Sequence, residues 1–157
     1  MKIQNLENTL IEHPFFSSLS REDIKALGDC ASLKVFHRDD LLIEENEPAD
    51  FFFIIRDGRV SLDLNTSTHQ SLSLQILEKG DILGWSWIIP PYYYDFNAKA
   101  LELTRVIALD AEILRDKCEK DPSLGYNLLK RFTGVMTERL RASRLQIIDM
   151  NRQLKRK

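Results

Sequence analysis

Hydrophobic side chains recur with helical spacing in the first part of the chain. Leu6 and Leu10 fall on one face of a helix, which Pro14 interrupts. A second helix is predicted to begin after Ser20, because this serine is followed three residues later by a carboxylate, the pattern of a capping box. Residues 1–31 are therefore expected to form N-terminal helices.

From about residue 32 the hydrophobic positions follow the pattern of β-strands. The strongest signal is the apolar run FFFII, then Asp57-Gly58, then the alternating segment VSLDL. This arrangement predicts a β-hairpin with a tight turn in which Gly58 adopts a positive φ. SLSLQIL and AKALELTRVIALD are further strand-like segments. Short strands at this spacing predict an antiparallel sandwich or jelly roll over residues 32–110.

After Asp110 the helical period returns. AEILRDKCEK is predicted to form a short helix, and a long helix is expected to follow with Asp121 as its N-cap and Pro122 in its first turn. No further proline occurs before Lys155, so the helix could reach about 50 Å, more than a small roll can cover. Residues 111–157 are therefore expected to be helical.

The long helix carries a heptad pattern of hydrophobic residues. Ser143 falls within the pattern and Thr133 interrupts it. We interpret the pattern as a seam between two copies of the chain, and the alternative is a single helix that packs on its own domain. The predicted seam residues are Leu129, Met136, Leu140, Ile147, Met150 and Leu154.

Composition is that of a soluble globular protein. Of 157 residues, 43% are hydrophobic and 29% are charged, and the net charge of −2 gives no general attraction to nucleic acid or anionic lipid. No apolar run approaches the ~20 residues of a membrane span. We expect a single cytoplasmic domain, residues 1–157, in which Cys30 and Cys118 are reduced thiols.

Four segments together resemble the cyclic nucleotide-binding domain of the Crp/Fnr regulators. HPFFSSLSREDIKAL is similar to the family's first helix, EENEPADFFFIIRDGRVSLDL to its hairpin, LEKGDILG to the strand that leads into its phosphate-binding cassette, and DPSLGYNLLKRFTGVMTERLR to its dimerisation helix. The resemblance covers about residues 10–150. It implies a mainly β fold, a jelly roll (double-stranded β-helix) with N-terminal helices and a long C-terminal dimerisation helix. It also implies a regulatory role in signal transduction.

Residues 80–100 correspond to the family's ligand-binding cassette. In the family a short helix lies inside the roll, and its N-terminal amides face the cyclic phosphate, because free N–H groups attract anions. Gly84 fits the start of this turn and permits close backbone approach, with Trp85, Ser86 and Trp87 as the first helical turn. The two prolines that follow are expected to end it.

Two of the family's ligand contacts are replaced in this chain. Trp85 stands where the family has the Glu that binds the ribose, and the position of the phosphate-binding Arg falls at Tyr94 or Asp95, depending on a one-residue gap. Losing two charged hydrogen bonds of about 1.5–3 kcal/mol each would weaken binding by two to four powers of ten. We therefore expect cyclic AMP and cyclic GMP to bind weakly, near millimolar, or another small anionic or aromatic ligand to replace them.

The candidate ligand-binding residues surround this cassette. Its aromatic side chains either stack on a planar ligand or fill a degenerate pocket, and both interpretations stay open. Arg139, Arg141 and Arg144 lie where the family's long helix passes the ligand base, so one of them could supply the missing cation; we favour a solvated helix face as the simpler interpretation of the three. The candidates are Gly84, Trp85, Ser86, Trp87, Tyr94, Asp95, Asn97, Lys99 and Arg139.

No motif predicts an enzyme or a metal site. His13, His37 and His69 do not have the spacing of metal ligands, and the chain has no P-loop, Gly-rich dinucleotide motif or recognisable catalytic triad. No cofactor is expected beyond a possible cyclic nucleotide or other small ligand.

Two classes of function remain. The first is a ligand-sensing regulatory module, and the second is an interaction or scaffold module that keeps only the fold. Either would act through a homodimer and an unknown protein partner. The family's DNA-binding members carry a helix-turn-helix after the long helix, where this chain has only NRQLKRK, so no sequence-specific DNA binding is expected.

Overall fold

The computed structural model describes residues 3–68 and 70–156, so His69 lies outside the described residues. The helices are α1 (Ile3–Glu12), α2 (Arg21–Gly28), α3 (Ala111–Lys120) and α4 (Pro122–Leu154), with 3₁₀ turns at Pro14–Phe16 and Trp85–Ile88. The strands are β1 (Ala31–Phe36), β2 (Leu41–Ile43), β3 (Phe51–Asp57), β4 (Val60–Asn65), β5 (Ser71–Leu77), β6 (Ile82–Leu83), β7 (Asn97–Ala100) and β8 (Thr104–Asp110).

The eight strands form two antiparallel sheets that face each other as a roll. One sheet has the order β1-β8-β3-β6 and the other has the order β2-β7-β4-β5. Apolar side chains from both sheets, the helices and the Trp85–Ile88 turn merge in one core. The predicted fold class, a mainly β jelly roll with flanking helices, is confirmed.

The hairpin predicted around Asp57-Gly58 is wrong, although the turn itself is present. Gly58 has a φ of +95°, as predicted. However, β3 pairs with β6 and β8, whereas β4 pairs with β5 and β7, so the turn carries the chain from one sheet to the other. A Cβ at Gly58 would lie 2.6 Å from the Thr104 hydroxyl oxygen. The glycine is therefore needed for a close crossing rather than for pairing of the flanking strands.

The predicted N-caps at both ends of the chain are confirmed. The Asp23 N–H donates to the Ser20 hydroxyl at 3.1 Å, and the Ser20 N–H donates to the Asp23 carboxylate at 3.3 Å. At the start of α4, the Asp121 carboxylate accepts from the backbone N–H groups of Ser123 and Leu124. Both caps satisfy N–H groups that have no partner inside their helices.

The first half of α4 packs on the roll through one buried stripe. Leu124, Leu128 and Phe132 are buried, and their spacing of four residues places them on the same face of the helix. Further along this face, the Gln146 side-chain amide donates to the Leu74 carbonyl of β5. The last two turns, around Leu154, are exposed. The helix therefore holds the roll over about two thirds of its length.

Both cysteines are free thiols, and burial raises the pKa of each to about 11. Cys30 is buried in the turn between α2 and β1, and Cys118 is half-buried on α3. At about pH 8, only about a thousandth of such a thiol is the reactive thiolate. We expect both to react slowly with iodoacetamide in the folded protein and quickly in urea, as measured by mass spectrometry. Fast alkylation of Cys30 in the folded chain would contradict its burial.

Candidate functional site

The cassette begins at a left-handed glycine. Gly84 has a φ of +92°, and a Cβ there would lie 3.0 Å from the Phe51 carbonyl oxygen of β3. The chain then forms the 3₁₀ turn Trp85–Ile88, which we call the cassette turn. It ends before the Pro90-Pro91 pair, which has a cis peptide bond. A helical turn thus lies where the sequence predicted one, although it is a single 3₁₀ turn.

Trp87 is part of the hydrophobic core. Its side chain is fully buried, its ring stacks on Phe52 at 5.3 Å between centroids, and it meets the ring of Phe132 from α4 at 5.7 Å. Its carbonyl oxygen accepts a hydrogen bond from Arg115 of α3 at 2.8 Å. These contacts attach the cassette turn to both C-terminal helices. The Trp87 ring is therefore a packing group in this arrangement.

Trp85 lies between an aromatic ring and a cation. It meets the ring of Phe96 edge to face at 5.6 Å, and the guanidinium carbon of Arg139 lies 5.1 Å from its ring centroid. A guanidinium over an indole face is attracted by the ring quadrupole. The Arg139 guanidinium also donates to the Ile82 carbonyl, at the start of β6. Arg139 thus reaches from α4 to the cassette.

The interpretation of the three α4 arginines as a solvated helix face is wrong for Arg139, whose guanidinium is largely buried. Arg141 and Arg144 are exposed. Burial lowers the pKa of Arg139 to about 10, against the opposing effect of the Asp81 carboxylate, so Arg139 keeps its charge at neutral pH. Its Nη1 is buried and has no hydrogen-bond partner within the described part of the chain. The cassette therefore holds a cation, but one that comes from α4.

Neither residue at the family's Arg position carries a positive charge. Tyr94 is buried, and its hydroxyl donates to the Phe51 carbonyl at 2.5 Å and accepts from the Phe51 N–H at 3.2 Å. Burial raises the pKa of Tyr94 to about 12, so this side chain is neutral. Asp95, the other candidate, is exposed. Tyr94 thus connects the cassette to β3.

Asn97 and Lys99 lie on the outer face of β7. Residues directly opposite in antiparallel strands share a face, and Lys99 is opposite Ser61, whereas the buried Ala98 is opposite Leu62. The Asn97 side-chain oxygen accepts from the Glu45 N–H at 2.8 Å. Of the two faces of β7, the one with Ala98 and Leu62 faces the roll interior. Lys99 therefore points away from the cassette side of the sheet.

Two cavities meet at Arg139. The inner cavity has a volume of about 70 Å³, and its walls include Leu62, Leu74, Trp85 and Phe96. The outer cleft has a volume of about 590 Å³ and lies between α4, the Pro14–Phe16 turn and the β5–β6 connection. Gln75, Arg139 and Ala142 line both. Ligand pockets for small organic molecules are typically about 300–1,000 Å³, so the inner cavity is well below this range.

Among the described residues, no group of His, Cys, Asp and Glu side chains has the geometry of a metal site. Over the same residues, none of the helices combines the length and the apolar character that crossing a membrane requires.

The sequence profile of the cyclic nucleotide-binding domain matches residues 33–121, from β1 to the end of α3. The chain belongs to the cyclic nucleotide-binding domain family. A CRP-like cAMP-activated global transcriptional regulator of Mycobacterium tuberculosis is 23% identical over 145 residues, which are 92% of this chain and 63% of the relative. The chain therefore spans less than two thirds of that curated relative's length.

Solved structures share the fold of this cyclic nucleotide-binding domain. A cyclic nucleotide-binding domain from Methylobacillus flagellatus has a TM-score of 0.77 and 21% identity, and the match covers 94% of this chain and 83% of that one. The regulatory subunit of a cAMP-independent protein kinase A from Trypanosoma brucei has a TM-score of 0.68 and 20% identity. This match covers 84% of this chain and 48% of that one. A triple mutant of that subunit, with one Thr replaced by Arg, is bound to cAMP in its A site.

Some contacts of the cyclic nucleotide-binding domain were not predicted from its sequence. Arg139, Ala142 and Gln146 are spaced three and four residues apart, so they share one face of α4, and this spacing was visible in the sequence. That this face would meet the cassette, rather than solvent, depends on how α4 lies on the roll. The Phe51 carbonyl, which binds Tyr94, is a backbone group that leaves no sequence signal.

Proposed function

We propose that this chain is a regulatory, non-catalytic module of the cyclic nucleotide-binding type whose signal is neither cyclic AMP nor cyclic GMP. The observation that carries the proposal is the filling of the space beside the cassette turn by Trp85, Phe96 and Arg139, which leaves about 70 Å³. A nucleotide would have to displace Arg139 before it could reach the cassette turn.

The charges around the cassette support the same proposal. In the family resemblance, Trp85 replaces a Glu, and Tyr94 or Asp95 replaces an Arg. Neither Tyr94, which is neutral, nor Asp95 carries a positive charge, so both charged contacts with the nucleotide are missing. Displacing Arg139 would also break a charged hydrogen bond, worth about 1.5–3 kcal/mol, and a cation–π contact of about 0.5–2 kcal/mol. Dissociation constants near millimolar or weaker follow for both nucleotides.

The kinase regulatory subunit of Trypanosoma brucei offers a parallel for a module of this fold that works without cyclic AMP. That protein is described as cAMP-independent, and cAMP occupies a mutant in which one exchange introduces an Arg. At 20% identity the likeness concerns the fold alone. It supports the idea that a module of this fold need not answer to cyclic AMP.

We propose that the module acts as a cytoplasmic homodimer and passes its signal to a partner protein. Five of the six predicted seam residues are 43–73% exposed in the single chain: Leu129, Leu140, Ile147, Met150 and Leu154. The sixth, Met136, is partly buried against the chain's own core. The stripe of seam residues lies about 90° around the helix axis from the stripe that packs on the roll. The helix can therefore hold its own roll and a second copy at the same time.

A second candidate, an interaction module without any ligand, is favoured by the small volume of the inner cavity. The two candidates differ in one respect: a sensor needs a molecule that stabilises the folded chain, and an interaction module does not. Both candidates predict that cyclic AMP and cyclic GMP bind weakly or not at all.

Thermal unfolding with added nucleotide tests the proposal. At about 100 μM cyclic AMP or cyclic GMP we expect no measurable shift of the unfolding temperature, because a ligand far below its dissociation constant adds almost no stability. A micromolar site under the same conditions would add about 2.7 kcal/mol, which is a shift of several degrees. A shift of that size in the parent chain would refute the proposal.

The variant Trp85→Ala is the matched comparison. It removes the ring that occupies the cassette while leaving Trp87 in the core. If side chains exclude the nucleotide, millimolar cyclic AMP should raise the unfolding temperature of Trp85→Ala more than that of the parent chain. If neither chain responds to any small molecule offered, the interaction module is the better description.

A further inference from the structure

We propose that Arg139 is a movable partition between the inner cavity and the outer cleft, and that the joined space binds a planar aromatic anion. The ligand meant is a flat ring system that carries a carboxylate or sulfonate directly, without a sugar. This inference rests on the proposed function, because it gives the same cassette a different ligand. Its starting point is that Arg139 lines both cavities.

The contacts of the guanidinium allow it to move. Arg139 is held by a hydrogen bond to the Ile82 carbonyl and by the face of Trp85, and its Nη1 is buried without a partner within residues 3–68 and 70–156. A buried charged donor that lacks a partner is costly. The same burial of the charged group lowers the pKa of Arg139 to about 10. Rotation into the open outer cleft would return the guanidinium to water.

The shape of the vacated space selects a flat ring. The guanidinium is itself planar and lies over the Trp85 indole, so a ring that takes its place would find the same aromatic face. Phe96, Leu62 and Leu74 close the far end with apolar surface. A flat ring therefore fits this end of the joined space.

The charges where the inner cavity meets the outer cleft favour an anionic ligand. Arg131 lies about 12 Å before Arg139 along α4 and also lines the cleft, where its Nε donates to the Ser18 hydroxyl at 2.9 Å. Asp81 and Glu138 line the cleft too, so its overall charge is balanced. Arg139 is the charged residue that lines both cavities, so the ligand group beside it would be an anion.

The outer cleft has open space on the α4 side. An added Cβ at Gly134 would meet no atom within 4 Å, although this residue lies in a helix interior and lines the cleft. Glycine in such a position costs about 0.5–1 kcal/mol relative to alanine. Gly134→Leu should therefore keep the fold while it fills the entrance, which provides a variant that leaves Arg139 untouched.

The test is calorimetric titration with naphthalene-2-sulfonate and with the uncharged naphthalene-2-sulfonamide. We expect the sulfonate to bind the parent chain about tenfold or more tightly than the sulfonamide, since a charged hydrogen bond is worth about 1.5–3 kcal/mol. Arg139→Gln should abolish this preference, and Gly134→Leu should weaken binding of both compounds. Arg144→Gln, on the exposed side of the same helix, should behave like the parent.

Three results would overturn the inference: no binding of the sulfonate, equal binding of the two compounds, or a preference that survives Arg139→Gln. Cyclic AMP is titrated in the same series. Micromolar binding of cyclic AMP would refute the proposed function. If neither cyclic AMP nor the sulfonate binds, the inference fails and the proposed function stands.

Discussion

Replacing Phe132 with Ala is expected to lower the free energy of unfolding by about 3–5 kcal/mol, because the lost ring leaves a cavity that the surrounding helices and strands cannot fill. The Phe132 side chain is fully buried, and its ring contacts Phe15, Phe52 and Trp87 at centroid distances of 4.9, 5.2 and 5.7 Å. Urea denaturation followed by circular dichroism, at a fixed protein concentration, measures the change.

The control for this variant is Tyr126→Ala, on the same helix. Tyr126 is 64% exposed, so its loss should change the free energy of unfolding by less than about 0.5 kcal/mol. A loss below about 1 kcal/mol for Phe132→Ala would mean that α4 does not pack on the roll through this ring. The result bears on function as well, because Phe132 joins α4 to Trp87 of the cassette turn.

The variant Leu140→Glu is expected to convert the proposed dimer into monomers. Leu140 is 53% exposed in the single chain and lies in the middle of the predicted seam. Across a two-fold axis each copy would place its new carboxylate near that of its partner in an apolar contact, where unpaired charges are costly. Size-exclusion chromatography with light scattering, at tens of micromolar, measures the molecular mass.

Leu145→Glu supplies the matched control. Leu145 is 57% exposed, but it lies on the side of α4 away from the seam, so this variant should remain dimeric. A parent chain that is monomeric at the same concentration would refute the proposed seam. Dissociation of both variants would mean that the two copies meet through a different face of the helix.

Much of the fold could be predicted because its signals are local. Ser20 and Asp121 each mark the start of a helix, and the structure has a helix at each place. Each signal works through atoms only a few residues apart. The resemblance to the cyclic nucleotide-binding domains then supplied the arrangement of these elements.

Strand pairing was less predictable because it depends on distant partners. Asp57-Gly58 correctly indicated a tight turn, but a turn does not determine which sheet the next strand joins. β3 has β8 and β6 on its two sides, so no edge is left for β4. The placement of Lys99 has the same origin, since the pairing of β7 with β4 decides which of its faces points inward.

The candidate site was predictable in its residues and less so in its geometry. The sequence and its family resemblance identified Trp85, and either Tyr94 or Asp95, as replacements of charged family positions. The position of Arg139 could not, because three arginines within six residues of α4 point in different directions and only the packing of the helix brings one of them to Trp85.

Two-dimensional NMR of the ¹⁵N-labelled chain during a cyclic AMP titration tests the central claim most directly, because it reports both affinity and location. We predict that the backbone amides of Ser86 and Trp87, at the cassette turn, show no saturating shift up to about 1 mM nucleotide, in line with a millimolar or weaker site. The Arg139 side-chain signal should likewise show no saturating change over this range. Shifts of these amides that saturate at micromolar cyclic AMP, together with release of Arg139 from Trp85, would contradict the account.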